Sequence, residues 1–458
     1  MEAQQSPLQS PDLEARSPWS THAGVPFVQV GPVPAAINGT IRLPGSKSLT
    51  NRALLIAAMA KGTSRIEGIL RSDDSYWCLD ALARLGIKVS LHGDTAEIEG
   101  CGGSWPVPSG ELYVGAAGTV ARFLPAMLAA GNGTWTVTGS KRMSKRPLAP
   151  LLDVLSGLGA TITYKHAGQG LPLELEARGL QGGSAVLPAS ASSQFMSGLL
   201  MAASYAREPL SIRMDGSTVQ PGYVQLTLDM MGDFGIFPVM ADQGRTLHVP
   251  TGVYQGCTLR LEPDVSTCCY FWALAALTGG CVRTPHINAF RSRQPDMEML
   301  DILERMGCTV LRGADYVEVQ GAQRLKGGFT VSMHRWSDQT LTLAALAPFA
   351  DGPITLTDAA HIRHHECDRI SAICSELRKL VIQVDERPDG LTVYPGQPKP
   401  ALVDPHDDHR MAMSLSLLAV KAEGIRIADP GCVSKTCPDY FERLAQLGVP
   451  VQFTSEGE

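Results

Sequence analysis

Two kinds of apolar stretch alternate along the chain. The first kind is rich in small residues and apolar on every side, as in Ala53-Leu54-Leu55-Ile56-Ala57-Ala58-Met59-Ala60. Comparable runs recur within residues 111–131, 184–204, 257–279, 329–352 and 401–424. A helix without a polar stripe has to be buried on nearly all sides. The second kind is amphipathic and falls at residues 73–85, 148–158, 223–231, 297–306, 369–380 and 439–447. The two kinds repeat together at intervals of about 70–75 residues, which predicts six copies of one supersecondary unit. Each copy reads as strand, polar turn, buried helix, further strand and amphipathic helix, so the fold class is α/β. Packing the fully apolar helices side by side, with sheets outside, would turn all their N-termini toward one face.

The first copy is the most informative. Thr40-Ile41-Arg42-Leu43 predicts a short strand, Pro44-Gly45 a tight turn, and Ser46 or Ser48 the cap of a helix running to Gly62. Lys47 and Arg52 then fall near the start of that helix. Cations are disfavoured at this positive end, while its free N–H groups attract anions, so the pattern points to a phosphate or carboxylate ligand. A solvated, capped surface helix is the competing reading, and recurrence of the pattern weighs against it.

Composition narrows the picture. A chain of 458 residues exceeds one ordinary core, which predicts two domains of similar size. A hydrophobic share of 44% with 18% charged residues belongs to a soluble globular class, and a net charge of −6 argues against nucleic acid as a partner. No apolar run reaches the length of a membrane span. Residues 1–24 are polar and rich in Ser, Pro and Gln, which predicts a disordered tail. The 11 cysteines are scattered without a Cys-x-x-Cys pair, consistent with reduced thiols and a cytoplasmic location.

Further stretches carry chemistry. Lys141-Arg142-Met143-Ser144-Lys145-Arg146-Pro147 is a cationic run before a helix, and either a solvated loop or an anion site would explain it. Ser192-Ser193-Gln194 offers hydroxyl and amide groups at another helix start, where capping is the simpler explanation. Asp338 sits at the start of the fifth buried helix and would also serve as a cap. His361, His364 and His365 have the spacing of one helical face, and His406 and His409 follow, so a metal site is conceivable. The interleaved Arg363, Arg369 and Arg410 would repel a metal ion, and no metal is expected.

Taken together, Pro44-Gly45-Ser46-Lys47-Ser48-Leu49-Thr50-Asn51-Arg52, Ala117-Gly118-Thr119, Arg146-Pro147, Ser192-Ser193-Gln194, Glu366-Cys367-Asp368-Arg369, Asp408-His409-Arg410-Met411-Ala412 and Lys435-Thr436-Cys437-Pro438-Asp439-Tyr440-Phe441 closely resemble the 5-enolpyruvylshikimate-3-phosphate synthase family, in order, from about Pro34 to the C-terminus. The resemblance implies two similar domains, each of three βαβαββ repeats around buried parallel helices, an inside-out α/β barrel. After the tail at 1–24, it places one discontinuous domain at 25–45 plus 264–458, the other at 46–263, and the active site in the cleft between them. It implies transfer of the enolpyruvyl group of phosphoenolpyruvate to the 5-hydroxyl of shikimate 3-phosphate with release of phosphate, by a monomer without cofactors and with no nucleic-acid or membrane partner.

By the same resemblance, Lys47, Asp338 and Glu366 are the catalytic residues. Shikimate 3-phosphate would be held by Lys47, Ser48, Arg52, Ser192, Ser193, Gln194, Tyr223, Asp338 and His365, and phosphoenolpyruvate by Lys47, Gly118, Arg146, Gln194, Arg369, Arg410 and Lys435. Departures from the family pattern at Ala116, Gln220, His361 and His365 cluster on the acceptor side. They leave open a paralogue acting on another phosphorylated alcohol. The UDP-N-acetylglucosamine enolpyruvyl transferases fit less well, since their loop cysteine and opening motif have no counterpart. A metal-dependent hydrolase and an inactive anion-binding module are the readings from other classes; retention of both Asp338 and Glu366 opposes the second, because binding an anion needs neither carboxylate.

Overall fold

The structure is a computed structural model that describes residues 10–166, 168–188, 192–216 and 220–454. The chain divides into a middle unit, Pro44–Glu262 with Glu14–Trp19, and a split unit made of Ser20–Leu43 and Pro263–Glu458 with the described part of Met1–Leu13. Each unit has its own continuous apolar core.

The middle unit contains helices α1 (Lys47–Met59), α2 (Asp73–Arg84), α3 (Gly118–Ala129), α4 (Lys141–Ser144), α5 (Ala149–Gly157), α6 (Ser193–Ala203) and α7 (Pro221–Asp233). The split unit contains α8 (Val265–Thr278), α9 (Met299–Arg305), α10 (Thr340–Leu346), α11 (Arg369–Lys379), α12 (His409–Ala419) and α13 (Tyr440–Gln446). The helices without a polar face are the central ones. Every residue from Leu49 to Met59 in α1, from Gly118 to Ala129 in α3 and from Val265 to Leu277 in α8 is buried. Truncating one such leucine, for example Leu54→Ala, would cost roughly 2–5 kcal/mol through lost transfer energy and the cavity left behind.

Six four-stranded sheets enclose these helices, and all six share one plan: a parallel pair followed by two antiparallel neighbours. Thus Ser109–Tyr113 pairs parallel with Asn132–Thr138, which pairs antiparallel with Leu173–Arg178, which pairs antiparallel with Thr161–Tyr164. Six repeats of one βαβαββ plan, three per unit, are therefore the architecture.

Chain continuity and sheet membership part company at the unit boundaries. The strand expected at 40–43 is Asn38–Thr40, and it pairs parallel with Cys281–Pro285 in the split unit, not with the unit of the helix it precedes. The corresponding place beside Lys61–Glu67 in the middle unit is taken by Thr258–Arg260, which arrives some two hundred residues later. The turn between is tight because Gly45 packs against backbone: a Cβ there would lie 1.7 Å from the Gly68 carbonyl oxygen. Helix α1 also ends at Met59, short of the predicted Gly62, because Lys61 and Gly62 already belong to the next strand.

The tail expectation needs correction. Residues 1–9 lie outside the described residues, but 10–24 are placed and packed. In the middle unit Ser17 donates from N and Oγ to Asp73 Oδ1, Trp77 Nε1 donates to the Ala15 carbonyl and Tyr113 Oη to that of Glu14. Trp19 packs edge-on to Tyr76 with the Arg71 guanidinium over its ring. In the split unit Thr21 N donates to Ser434 Oγ, and His22 stacks on Phe453. The segment is polar because it is held mainly by hydrogen bonds to its backbone, which leave no apolar periodicity to read. Among the described residues no helix is long and apolar enough to cross a membrane, and all eleven cysteines are free thiols.

Candidate active site

In the middle unit the starts of α1, α3 and α6 carry the predicted anion-binding residues. Ser46 takes the N-cap position of α1 without a side-chain cap bond. Lys47 follows, its ammonium 3.5 Å from the buried Asp74 carboxylate at the start of α2. Arg52 lies one turn on, fully buried, and donates to Ser48 O, Thr227 Oγ1, Ser197 Oγ and Tyr223 O, with its plane over Phe123. All four acceptors are neutral. Burial without a carboxylate partner lowers the Arg52 pKa to about 10.

The second cation cluster forms around Gly118, the first residue of α3. A Cβ on Gly118 would lie 2.8 Å from Arg146 Nη1 and 2.9 Å from Arg122 Nη1, so glycine here makes room for two guanidinium groups. Arg122 Nη1 donates to the Gly118 carbonyl and to Gln194 Oε1. Arg146 stands two residues after α4, which takes in Lys141–Ser144 of the cationic run, while Lys141 and Lys145 are exposed. Ser192 caps α6 by accepting from Gln194 N, and Ser193 is buried beside it. Tyr223 contributes its carbonyl to Arg52, while Gln220 holds a left-handed backbone conformation before α7. Arg122 is the member that sequence reasoning missed. A lone arginine inside an otherwise apolar helix, four residues after Gly118, was the available signal.

In the split unit the predicted carboxylates and cations interlock. Asp338 lies in a 3-10 turn, Ser337–Gln339, at the start of α10; its Oδ1 accepts from Arg369 Nη1 at 3.1 Å and its Oδ2 from Arg410 Nη2 at 3.0 Å. Both of its oxygens are thus held by guanidinium groups. Glu366 accepts from Arg369 Nη2 at 2.9 Å and lies 3.6 Å from Lys435 Nζ. Arg369 completes its fork on Asp408, Nε to Oδ2 at 2.7 Å and Nη2 to Oδ1 at 3.2 Å. Burial works against its charge, but Asp408, Glu366 and Asp338 outweigh that cost and raise its pKa. Asp408 also caps α12 through Arg410 N. Asp408 is a second residue absent from the predicted set, although it opens the Asp408-His409-Arg410 motif.

The histidines do not share a helical face. His361 and His364 lie in a 3-10 segment, Ala360–His364, with His365 just beyond it. His365 Nδ1 accepts from Arg369 Nη1, and His361 Nε2 pairs with Ser337 Oγ at 2.7 Å. Burial lowers the His361 pKa to about 4, helped by the nearby charges of His334 and Arg369 and opposed by Asp338, so this ring is neutral. His406 pairs with Glu376. His361, His365 and His406 are thus each engaged by a different partner, and among the described residues no group of three or more His, Cys, Asp or Glu side chains could hold a metal ion.

Comparison with known proteins gives one consistent result. Residues 33–444 match the family model for EPSP synthase (3-phosphoshikimate 1-carboxyvinyltransferase). The chain is 52% identical to 3-phosphoshikimate 1-carboxyvinyltransferase 2 of Halalkalibacterium halodurans over 445 residues, 96% of this chain and 99% of the relative. It is 41% identical to 3-phosphoshikimate 1-carboxyvinyltransferase of a Nostoc species over 414 residues, covering 90% and 97% of the two chains. Among solved structures, EPSP synthase from Acinetobacter baumannii superposes with a TM-score of 0.79 at 26% identity, over 94% of this chain and 100% of that one. The enolpyruvyl transferase NikO from Streptomyces tendae shares the fold, with a TM-score of 0.75 at 20% identity over 94% and 99% of the two chains. On the extent of these matches, this chain belongs to the EPSP synthase (3-phosphoshikimate 1-carboxyvinyltransferase) family.

Proposed function

We propose that the chain transfers the enolpyruvyl group of phosphoenolpyruvate to the 5-hydroxyl of shikimate 3-phosphate and releases phosphate, a step of aromatic amino acid biosynthesis. The acceptor oxygen adds to C2 of phosphoenolpyruvate as C3 takes a proton; C3 then gives a proton back and the C2–O bond to phosphate breaks. Two polyanions must be held, one hydroxyl deprotonated and one carbon protonated.

Arg52 and Ser48 suit the acceptor carboxylate, since Arg52 is a buried cation whose hydrogen bonds all go to neutral groups. Ser192 and Ser193, with Gln194 and Tyr223, suit the acceptor phosphate. Lys47, Arg146, Arg369, Arg410 and Lys435 supply charge for phosphoenolpyruvate, and Gly118 makes room for the Arg146 guanidinium. Asp338 takes the proton of the 5-hydroxyl, next to His365. Glu366, with Lys47, delivers and removes the proton at C3.

The observation that carries this reading is a single buried guanidinium, Arg369, that holds both Asp338 and Glu366. A site built only to bind anions would gain nothing from two carboxylates beside its cations. The test is phosphate release from phosphoenolpyruvate by the purified protein, with shikimate 3-phosphate present or absent and chelator in both arms. Release that requires shikimate 3-phosphate and ignores chelator is expected. Silence with that acceptor, alongside measurable phosphoenolpyruvate binding, would overturn the acceptor assignment in favour of another phosphorylated alcohol.

A further inference from the structure

Behind Asp338 lies a second carboxylate that the proposed chemistry does not use. Asp296 belongs to the 3-10 turn Pro295–Glu298 that leads into α9 and is 1% exposed. Its Oδ2 accepts from Ser266 Oγ at 2.5 Å and from Gln339 Nε2 at 2.6 Å, while its Oδ1 has no hydrogen-bond partner. Gln339 adjoins Asp338 in the same turn, and its other end is fixed by Thr342 Oγ1 at 2.8 Å. On the far side of Asp338, Ser337 is held by His361. Asp338 thus sits between two anchored neighbours, and one anchor is Asp296.

Hydrogen bonding alone does not explain a carboxylate at this place. An asparagine would accept from Ser266 and Gln339 equally well, without the cost of a buried ionisable group. What a carboxylate adds is charge, and the charged or titratable groups that face it are Asp338 from the turn, Arg410 from α12 and the Cys269 thiol from α8. We infer that Asp296 is a positioning residue for Asp338: through Gln339 it fixes the turn that aims Asp338, and its negative charge strengthens the hold of Asp338 on an accepted proton. This inference rests on the role proposed for Asp338.

Desolvation, and next the charge of Asp338, push the Asp296 carboxyl up to about 7, against Arg410 and its two hydrogen bonds. Asp296 therefore gains its charge as pH rises through neutrality. From there upward a proton taken by Asp338 meets a nearby negative charge, which makes Asp338 the stronger base. Turnover should accordingly gain a step near pH 7 that belongs to Asp296.

The test is steady-state kinetics of the full chain and Asp296→Asn with phosphoenolpyruvate and shikimate 3-phosphate between pH 6 and 8.5. The expected result is a kcat about tenfold lower at pH 8, nearly unchanged at pH 6, with both KM values within about threefold throughout. An equal loss at every pH, or a profile identical to wild type, would overturn the inference. A second measurement needs no turnover: carboxyl resonances of protein carrying carbon-13 aspartate. One carboxyl should titrate near pH 7, vanish in Asp296→Asn and move to lower pH in Asp338→Asn. Its persistence in Asp296→Asn, or its indifference to Asp338→Asn, would overturn the coupling. Should Asp296→Asn fail to fold, the wild-type and Asp338→Asn spectra decide alone. Absence of turnover in wild type refutes the proposed reaction, whereas the spectra judge the carboxylate pair independently.

Discussion

Arg52 in the middle unit and Arg369 in the split unit are both buried guanidinium groups at 1% exposure, yet their surroundings are opposite. Arg52 donates only to hydroxyls and carbonyls, and burial lowers its pKa to about 10. Arg369 forks onto Asp338, Glu366 and Asp408, which raise its pKa against the same penalty. The first pattern leaves positive charge that, in the proposed reaction, the acceptor carboxylate satisfies. The second uses the cation to hold carboxylates in place, which the proposed reaction needs for its proton transfers. One residue type thereby does two jobs, and only its neighbours decide which.

The sharpest test of that contrast is Asp338→Ala. Its kcat should fall by roughly 10²–10⁴-fold, the range for loss of a general base, while both substrates still bind by calorimetry. Loss of binding with unimpaired residual turnover would refute its role. Next come paired replacements by methionine. Arg369→Met takes a cation from three carboxylates, of which Asp338 keeps Arg410 and Glu366 keeps Lys435, and should cost roughly 3–5 kcal/mol in chemical denaturation. Arg52→Met removes a costly buried charge along with four hydrogen bonds, and should lose only about 1–2 kcal/mol while abolishing affinity for shikimate 3-phosphate. Equal destabilisation by the two would collapse the distinction.

Smaller effects sharpen it. Arg146→Ala should weaken phosphoenolpyruvate binding by ~10–100-fold, the worth of one charge-assisted contact, and an unchanged Kd would remove Arg146 from the site. For His361 the unfolded chain binds a proton near 6.5 and the folded chain only near 4, so stability is lost as pH falls through that window. His361→Asn should flatten this part of the stability curve; an unaltered slope would locate the loss elsewhere. Smallest is Ser17→Ala, which deletes the 2.6 Å bond to Asp73 and should lower stability by about 1 kcal/mol in thermal melts. No change there would show that the N-terminal segment is held by Trp19 and its backbone contacts.

Much of the fold was legible because its repeats carry their own signal. Fully apolar helices such as 53–60 and 265–277 have no polar face to expose, so the sequence alone makes them central, and their recurrence counts the repeats. The motifs likewise brought Lys47, Arg52 and Asp338 into view, because charged residues at the starts of apolar helices are conspicuous, whereas Glu366 and Arg369, at the start of an amphipathic helix, entered through the family resemblance. Arg122 and Asp296 escaped notice: each looks locally like an ordinary charge in or near a helix, and burial is a property of the surroundings.

What the sequence by itself determined, then, is periodicity: the element types, the six copies and the helix starts where charge collects. Tertiary structure alone decided which strands Asn38–Thr40 and Thr258–Arg260 pair with, the packing of residues 10–24, and which carboxylate meets which cation. The physical reason is range. Hydrophobic spacing and capping act within a few residues, whereas strand partnership and the protonation of a buried group depend on atoms brought together from tens to hundreds of residues away.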